Sequence, residues 1–261
     1  MQTITKAGQV LNLFSIEQPE WGVSEASQVL KQPKSSTSAM MAALAEQGLL
    51  RRTGERRYRL GWWVMALSQI LLETTEFRSE ARRAMEHLVS LTGETVHLAA
   101  LEANQVIYVD KLQGTRAIQV RLTGIGIRLP AHCSAVGKAI LAHLPWEQAL
   151  EILEEQGMKK FTPNTITTPE ELREELRNVQ ERGYAYDFEE AELELCCVAA
   201  PIRDHSGEVV ASMSLSIPAY RFEDYREKYR ALIDSITQKV SENLGYTKVK
   251  RTSKPIHVRR S

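Results

Sequence analysis

Apolar residues recur at helical spacing through the first fifty positions, interrupted at short intervals by turn formers. Ala7, Val10, Leu11, Leu13 and Phe14 share one face of a helix predicted over residues 5–17, and Pro19 and Gly22 then break the pattern. A short helix follows with Ser24 as its N-cap and Ala26, Val29 and Leu30 facing inward. After the turn Lys31-Gln32-Pro33-Lys34, Ser35 or Ser36 caps a third helix. Its apolar positions are Met40, Met41, Leu44 and Ala45, and Gly48 ends it. Two short extended runs flank Gly54 and read as a hairpin rich in arginine. Helix, short helix, turn, helix and basic hairpin is the order of a winged helix-turn-helix.

The pattern then changes. Residues 61–75, GWWVMALSQILLETT, are apolar almost all round, so a helix there needs cover on more than one side. It reads as a linker helix that dimerises, or as a helix buried within one chain. Beyond it, residues 78–92 are amphipathic through Ala81, Ala84, Met85 and Leu88. Strands are predicted at Thr95–Leu101, Gln105–Lys111, Ala117–Leu122, Tyr184–Phe188, Cys197–Arg203 and Val209–Ile217. Helices are predicted at Ser134–Leu144, Trp146–Glu155, Pro169–Arg182 and Phe222–Leu244. The fold class is therefore α+β: a helical head followed by an antiparallel sheet with flanking helices. The domains are a winged helix-turn-helix at 1–60, a linker helix at 61–77, a sensor-like domain at 78–246 and a basic, disordered tail at 247–261.

Composition narrows the reading. A chain of 261 residues suits two compact domains, and 43% hydrophobic with 25% charged residues is ordinary for a folded globular protein. There is no apolar run of membrane-spanning length and no secretory signal in the first 20 residues. Cys133, Cys196 and Cys197 make a poor disulfide framework, so the expected location is the cytoplasm. Net charge is zero but unevenly spread. Lys31 to Arg59 holds seven Lys/Arg and two Glu, Gly61 to Thr247 holds 19 basic and 28 acidic residues, and Lys248 to Arg260 holds six Lys/Arg and no acid. A basic head on an acidic body points to a polyanion partner at one end. Lys34, Ser35, Ser36, Thr37 and Ser38 would face base edges, and Arg51, Arg52, Arg56 and Arg57 would reach phosphates.

Candidate small-molecule chemistry lies further along. Leu129 to Lys138 is a loop feeding a helix, with small residues at Ser134, Ala135 and Gly137. Such residues leave first-turn N–H groups open to an anion, or let the helix pack tightly on a sheet. Ser214 and Ser216 lie two apart on one strand face, as do Cys197 and Ala199 on its partner. Small polar groups on a sheet face leave room for a ligand and bond to it, unless a helix covers them. His132 beside Cys133 lacks an orienting third group for nucleophilic catalysis. The histidine and cysteines lack the paired spacing of a zinc site, and no phosphate-binding glycine loop occurs. No enzyme activity, cofactor or metal is expected.

Taken in order, these segments resemble the IclR family of bacterial transcriptional regulators. The resemblance rests on Pro33-Lys34-Ser35-Ser36-Thr37, Gly48-Leu49-Leu50-Arg51-Arg52, Tyr58-Arg59-Leu60-Gly61 and Thr95-Val96-His97-Leu98. It continues through Leu129 to Ala139, Gly183 to Glu190, Cys197-Val198-Ala199-Ala200-Pro201-Ile202 and Ser214-Leu215-Ser216-Ile217-Pro218, and spans roughly residues 5–245. It implies a GAF/PAS-like effector domain, homodimers paired into homotetramers, double-stranded operator DNA as partner and a small organic acid as effector. The implied function is ligand-responsive repression of a catabolic operon. By motif, Ala135, Val136 and Gly137 would line the effector pocket, and Asp187, Cys197, Ser214 and Ser216 would supply its polar groups. The sequence departs from the family at Ala39, where an arginine is usual, near Ser38, where an aromatic or histidine is usual, and at Ala135. The alternative is a small-molecule-binding protein or enzyme whose helical head contacts protein, not DNA.

Overall fold

The computed structural model describes residues 2–54, 57–116 and 124–247, and the chain divides into two compact units, Met1–Thr74 and Thr75–Ser261. The predicted strand Ala117–Leu122, Arg56 and the tail from residue 248 lie outside the described residues.

The N-terminal unit contains α1 (Gln2–Leu11), β1 (Trp21–Gly22), α2 (Val23–Val29), α3 (Lys34–Glu46), β2 (Leu50–Gly54), β3 (Arg57–Leu60) and α4 (Trp63–Thr74). Its three strands form an antiparallel sheet in the order β1-β3-β2. The core gathers Val10, Val23, Ala26, Met41, Leu44, Leu50 and Tyr58. Three boundaries differ from the sequence reading. First, α1 stops at Leu11, and Leu13 and Phe14 reach the core from the turn that follows, with the Trp21 indole N–H donating to the Leu13 carbonyl at 2.8 Å. Second, α2 is capped by Gly22, because Glu25 reaches back to accept the Gly22 N–H at 3.0 Å, which leaves Ser24 no capping role; Val29 is exposed. Third, α3 begins at Lys34 directly behind Pro33. Gly48, at φ +74°, turns the chain out of α3. The hairpin exit then crosses that turn so closely that a Cβ on Gly61 would lie 1.9 Å from the Gly48 carbonyl oxygen. On α4, no residue is buried.

The C-terminal unit opens with α5 (Glu76–Thr92), followed by β4 (Thr95–Glu102), β5 (Gln105–Leu112), β6 (Arg128–Leu129) and a 3₁₀ turn at Ala131–Cys133. Next come α6 (Ala135–Leu141), α7 (Trp146–Gln156), α8 (Pro169–Arg182), β7 (Ala185–Phe188), β8 (Leu195–Arg203), β9 (Val209–Pro218) and α9 (Ala219–Asn243). Its six strands form one antiparallel sheet in the order β6-β5-β4-β9-β8-β7. The two-residue period decides which helices cover which face. Met213, Leu215 and Ile217 of β9 and Val198, Ala200 and Ile202 of β8 pack under α5 and α9. The opposite face carries Ala99, Tyr108, Ala185 and Ala199 beneath α6, α7 and α8. Two buried carboxylates tie helices to this frame: Arg78 and Arg82 of α5 each hold Asp110 at 3.0 Å, and Arg221 of α9 holds Glu94 at 2.8 Å. Removing one partner of such a pair costs on the order of 3–5 kcal/mol, because the other charge is left buried and unpaired.

Candidate functional site

In the N-terminal unit a groove of ≈ 720 Å³ runs between the start of α3 and the hairpin, lined by Lys34, Ser35, Ser38 and Arg52 among others. These four are exposed, and Ser36 is exposed just outside the groove. Thr37 corrects the sequence expectation: it is fully buried, and its hydroxyl donates to the Pro33 carbonyl at 3.2 Å, so it faces the core and not a base edge. The arginines also divide. Alternation along β2 sends Arg52 into the groove, over the Tyr58 ring, while Arg51 sits over Trp62 and lies outside it. Arg57 lines the groove but holds Glu20 at 2.7 Å and Glu25 at 3.0 Å, and Arg59 holds the other Glu20 oxygen at 2.7 Å. Hydrogen bonds from the guanidiniums hold the Glu20 carboxyl below its ordinary range. Arg57 therefore ties α2 to the hairpin and has little left to offer a phosphate. Sequence reasoning missed this network; the i, i+2 placement of Arg57 and Arg59 on one strand face was its signal.

In the C-terminal unit, a second cavity of ≈ 200 Å³ opens between the sheet and the start of α6, and Ala135, Val136, Asp187, Cys197, Ser214 and Ser216 all line it. The register explains the convergence. Asp187 lies opposite Cys197 and Cys197 opposite Ser216, so these three cross adjacent strands in one row; Ala199, Ser214 and His97 form the next. Gly137 is the correction here. It does not line the cavity, its N–H donates to the Ser134 hydroxyl at 3.2 Å, and a Cβ on it would lie 2.4 Å from the Ala131 carbonyl oxygen. Its smallness serves packing of α6 on the preceding turn, and Ser134 is the helix N-cap. The structure adds Tyr108, Arg128, Cys133, Phe161 and Glu192 to the lining. Tyr108 was legible as an inward position of β5; Arg128 comes from the two-residue strand β6, too short to show a period, and the others from loops and turns, where no period operates.

Burial sets the electrostatics of this cavity. Desolvation, followed by the nearby Glu190 charge, pushes the Asp187 carboxyl up to about 7. Desolvation also raises the Cys133 thiol to about 12, Cys197 well above its ordinary value and Tyr108 likewise, so all three keep their protons at neutral pH. His97 is driven down to about 3 by burial and stacks on Tyr108 with centroids 4.7 Å apart. Its Nδ1 lies 3.2 Å from the Ser216 hydroxyl, which lies 3.3 Å from the Cys197 sulfur. Beside the cavity, the fully buried Lys138 ammonium donates to Glu190 at 2.5 Å, with Glu175 at 3.8 Å. Among the described residues no group of three or more metal-ligating side chains occurs, and no helix is long and apolar enough to cross a membrane.

Both units match known families. The model of the IclR helix-turn-helix domain matches residues 3–54, and that of the bacterial transcriptional regulator IclR C-terminal domain matches residues 69–242. The chain is 33% identical to the HTH-type transcriptional regulator KdgR of Dickeya chrysanthemi, over 91% of this chain and 80% of that protein. It is 30% identical to the transcriptional repressor IclR of Escherichia coli (strain K12), over 94% of this chain and 90% of that protein. Among solved structures, an IclR homolog of Microbacterium hydrocarbonoxydans complexed with 4-hydroxybenzoate superposes with a TM-score of 0.81 at 26% identity, covering 93% of this chain and 98% of that one.

Proposed function

The chain belongs to the IclR family of bacterial transcriptional regulators, and from that premise we propose that it is a cytoplasmic, non-enzymatic repressor of a catabolic operon, released from its operator by a small carboxylate. The carrying observation is that Ala135, Val136, Asp187, Cys197, Ser214 and Ser216 line one cavity together. Its size fits a small metabolite, and its hydroxyl and thiol groups are hydrogen-bond donors set in apolar walls. The relative bound to 4-hydroxybenzoate supports a carboxylate. In the head, Lys34, Ser35, Ser36 and Ser38 face the major groove, and Arg52 meets the phosphate backbone with Arg51 flanking it. Homodimers form through α4, and pairs of dimers occupy the operator as tetramers. The effector acts only through the difference in its affinity for the two arrangements of the assembly.

The test is a gel shift with the promoter of the neighbouring operon, titrated with small organic acids. Release of the fragment by a carboxylate is expected. In Ser214→Ala the concentration for half-release, referred to the ligand-free affinity of the same variant, rises about fivefold for the loss of one hydrogen bond. No retardation of duplex DNA at any ionic strength, with ligand binding retained, would instead favour a head that contacts protein.

A further inference from the structure

We propose that Asp187 enters ligand recognition as the neutral acid, so that the carboxylate bound in this cavity arrives together with one proton. The proposal rests on the effector reading above and concerns how that site tells an anion from a neutral molecule. Asp187 lines the cavity although its side chain is almost wholly buried, and one of its oxygens accepts the Glu190 N–H at 2.7 Å. Around it stand groups that donate: the hydroxyls of Tyr108, Ser214 and Ser216 and the thiol of Cys197. Toward a carboxylate ligand an ionised Asp187 is the misfit in that set, because it brings a second negative charge and no donor.

Among the described residues, the charged groups on the surrounding elements leave no buried cation free to balance a second anion. Lys138 of α6 is already held by Glu190 of the loop after β7, with Glu175 of α8 behind it. Arg128 of β6 and Glu192 also line the cavity and carry opposite charges, with Arg128 exposed to solvent. His97 of β4, and His132 and Cys133 of the 3₁₀ turn, are disfavoured from charging by burial, as are Cys197 of β8 and Tyr108 of β5. A carboxylate placed on this floor beside an ionised Asp187 would put two like charges within a few ångströms in a poorly solvated space. One proton, taken from solvent on binding and returned on release, removes that repulsion. It also completes a floor of donors facing an acceptor-only anion. Burial already holds Asp187 near the point where it protonates at neutral pH.

The experiment is calorimetric titration of the full-length protein from pH 5.5 to 9, in buffers of different ionisation enthalpy. The probes are 4-hydroxybenzoate, benzoate and pyruvate, with 4-hydroxybenzamide as the neutral comparison. The expected result is proton uptake that rises from near zero below pH 7 toward one per carboxylate bound above it, and an affinity that falls about tenfold per pH unit once Asp187 is ionised in the free protein. Asp187→Asn, which keeps the shape and cannot ionise, should bind the same carboxylate with a flat pH profile. Carbon-13 spectra of labelled aspartate in the wild-type protein give a second readout, in which Asp187 stays protonated at pH 8 in the complex. A flat wild-type profile with no proton uptake, or an ionised Asp187 in the complex, overturns the proposal and leaves the effector reading standing. Failure of every carboxylate to bind at any pH, whether or not the amide binds, overturns both.

Discussion

Around α3 and the hairpin of the N-terminal unit, the polar side chains stand in water: Lys34, Ser35, Ser38 and Arg52 are exposed, and Arg57 meets its acidic partners at the surface. Around the cavity of the C-terminal unit, the polar groups are buried, and Asp187, Ser214 and Ser216 each keep less than a twentieth of their surface. Both surfaces recognise anions under the proposed function, but with opposite physics. The exposed charges act through a long-range field that salt screens, and they suit a polyanion such as DNA. The buried groups act at contact distance, unscreened, and their protonation becomes the variable. The head should therefore answer chiefly to ionic strength and the sensor chiefly to pH.

The largest expected effect lies on α4, which presents Trp63, Met65 and Ile70 to solvent and buries nothing. Exposed apolar surface at that density marks an interaction face. If two copies meet there, each head binds its half-site with the effective concentration that the other head supplies. Ile70→Glu should convert the dimer to monomer in sedimentation velocity and weaken operator binding on the order of a hundredfold. A dimer that persists with unchanged DNA affinity would place the interface elsewhere.

Next comes a stability effect confined to the sensor. The folded Asp187 carboxyl titrates at about 7 against about 3.8 for the unfolded chain. The sign follows from proton counting. Below pH 4 both states hold the proton and nothing is lost. Between pH 4 and 7 the unfolded state releases it first, so the folded state loses stability as pH rises, to an upper limit of about 4 kcal/mol above pH 7. Asp187→Asn removes that penalty and can still accept the Glu190 N–H. Denaturant melts should find the ligand-free variant more stable than wild type at pH 8, with the gap closing as pH falls to 4. A gap independent of pH would mean that Asp187 is ionised in both states.

The two regions also differ in how much of them the sequence disclosed. Alternation in Val-Ala-Ser-Met-Ser-Leu-Ser-Ile, residues 210–217, was enough to put Ser214 and Ser216 on one face with Cys197 and Ala199 opposite, because a strand has only two faces. Asp187 entered by family motif, and the register then set it beside Cys197. The role of Gly137 was not separable from its neighbours, since a small residue serves ligand access and close packing alike. Phe161, Arg128 and Glu192 reach the cavity from segments with no period, so only tertiary structure gathers them. In the head, helical order was legible but the facing of single residues was not. Thr37 lies one residue from the exposed Ser36 and Ser38, and α3 starting at Lys34 turns it to the core. Charge count alone made Arg51, Arg52 and Arg57 equivalent, whereas strand alternation and the acids Glu20 and Glu25 give them three different surroundings.

That last distinction gives the smallest and most discriminating measurement. A guanidinium that neutralises one phosphate contributes close to one unit to the slope of log affinity against log salt. Arg52, in the groove beside Lys34 and without an ion-pair partner among the described residues, should lower the slope by about one when changed to alanine. Arg57 is shared between Glu20 and Glu25, so its replacement leaves Glu25 without a cation and Glu20 with Arg59 alone, and removes no phosphate contact. Arg57→Ala should leave the slope unchanged while weakening binding uniformly across salt concentrations, because losing its ion pairs loosens the tie between α2 and the hairpin. Adding Glu25→Gln to that variant should recover part of the affinity, since the uncompensated negative charge goes with it. If Arg57→Ala instead lowers the slope as much as Arg52→Ala does, the carboxylates release Arg57 on contact with DNA, and the acidic pair is a latch on the hairpin and not a permanent brace.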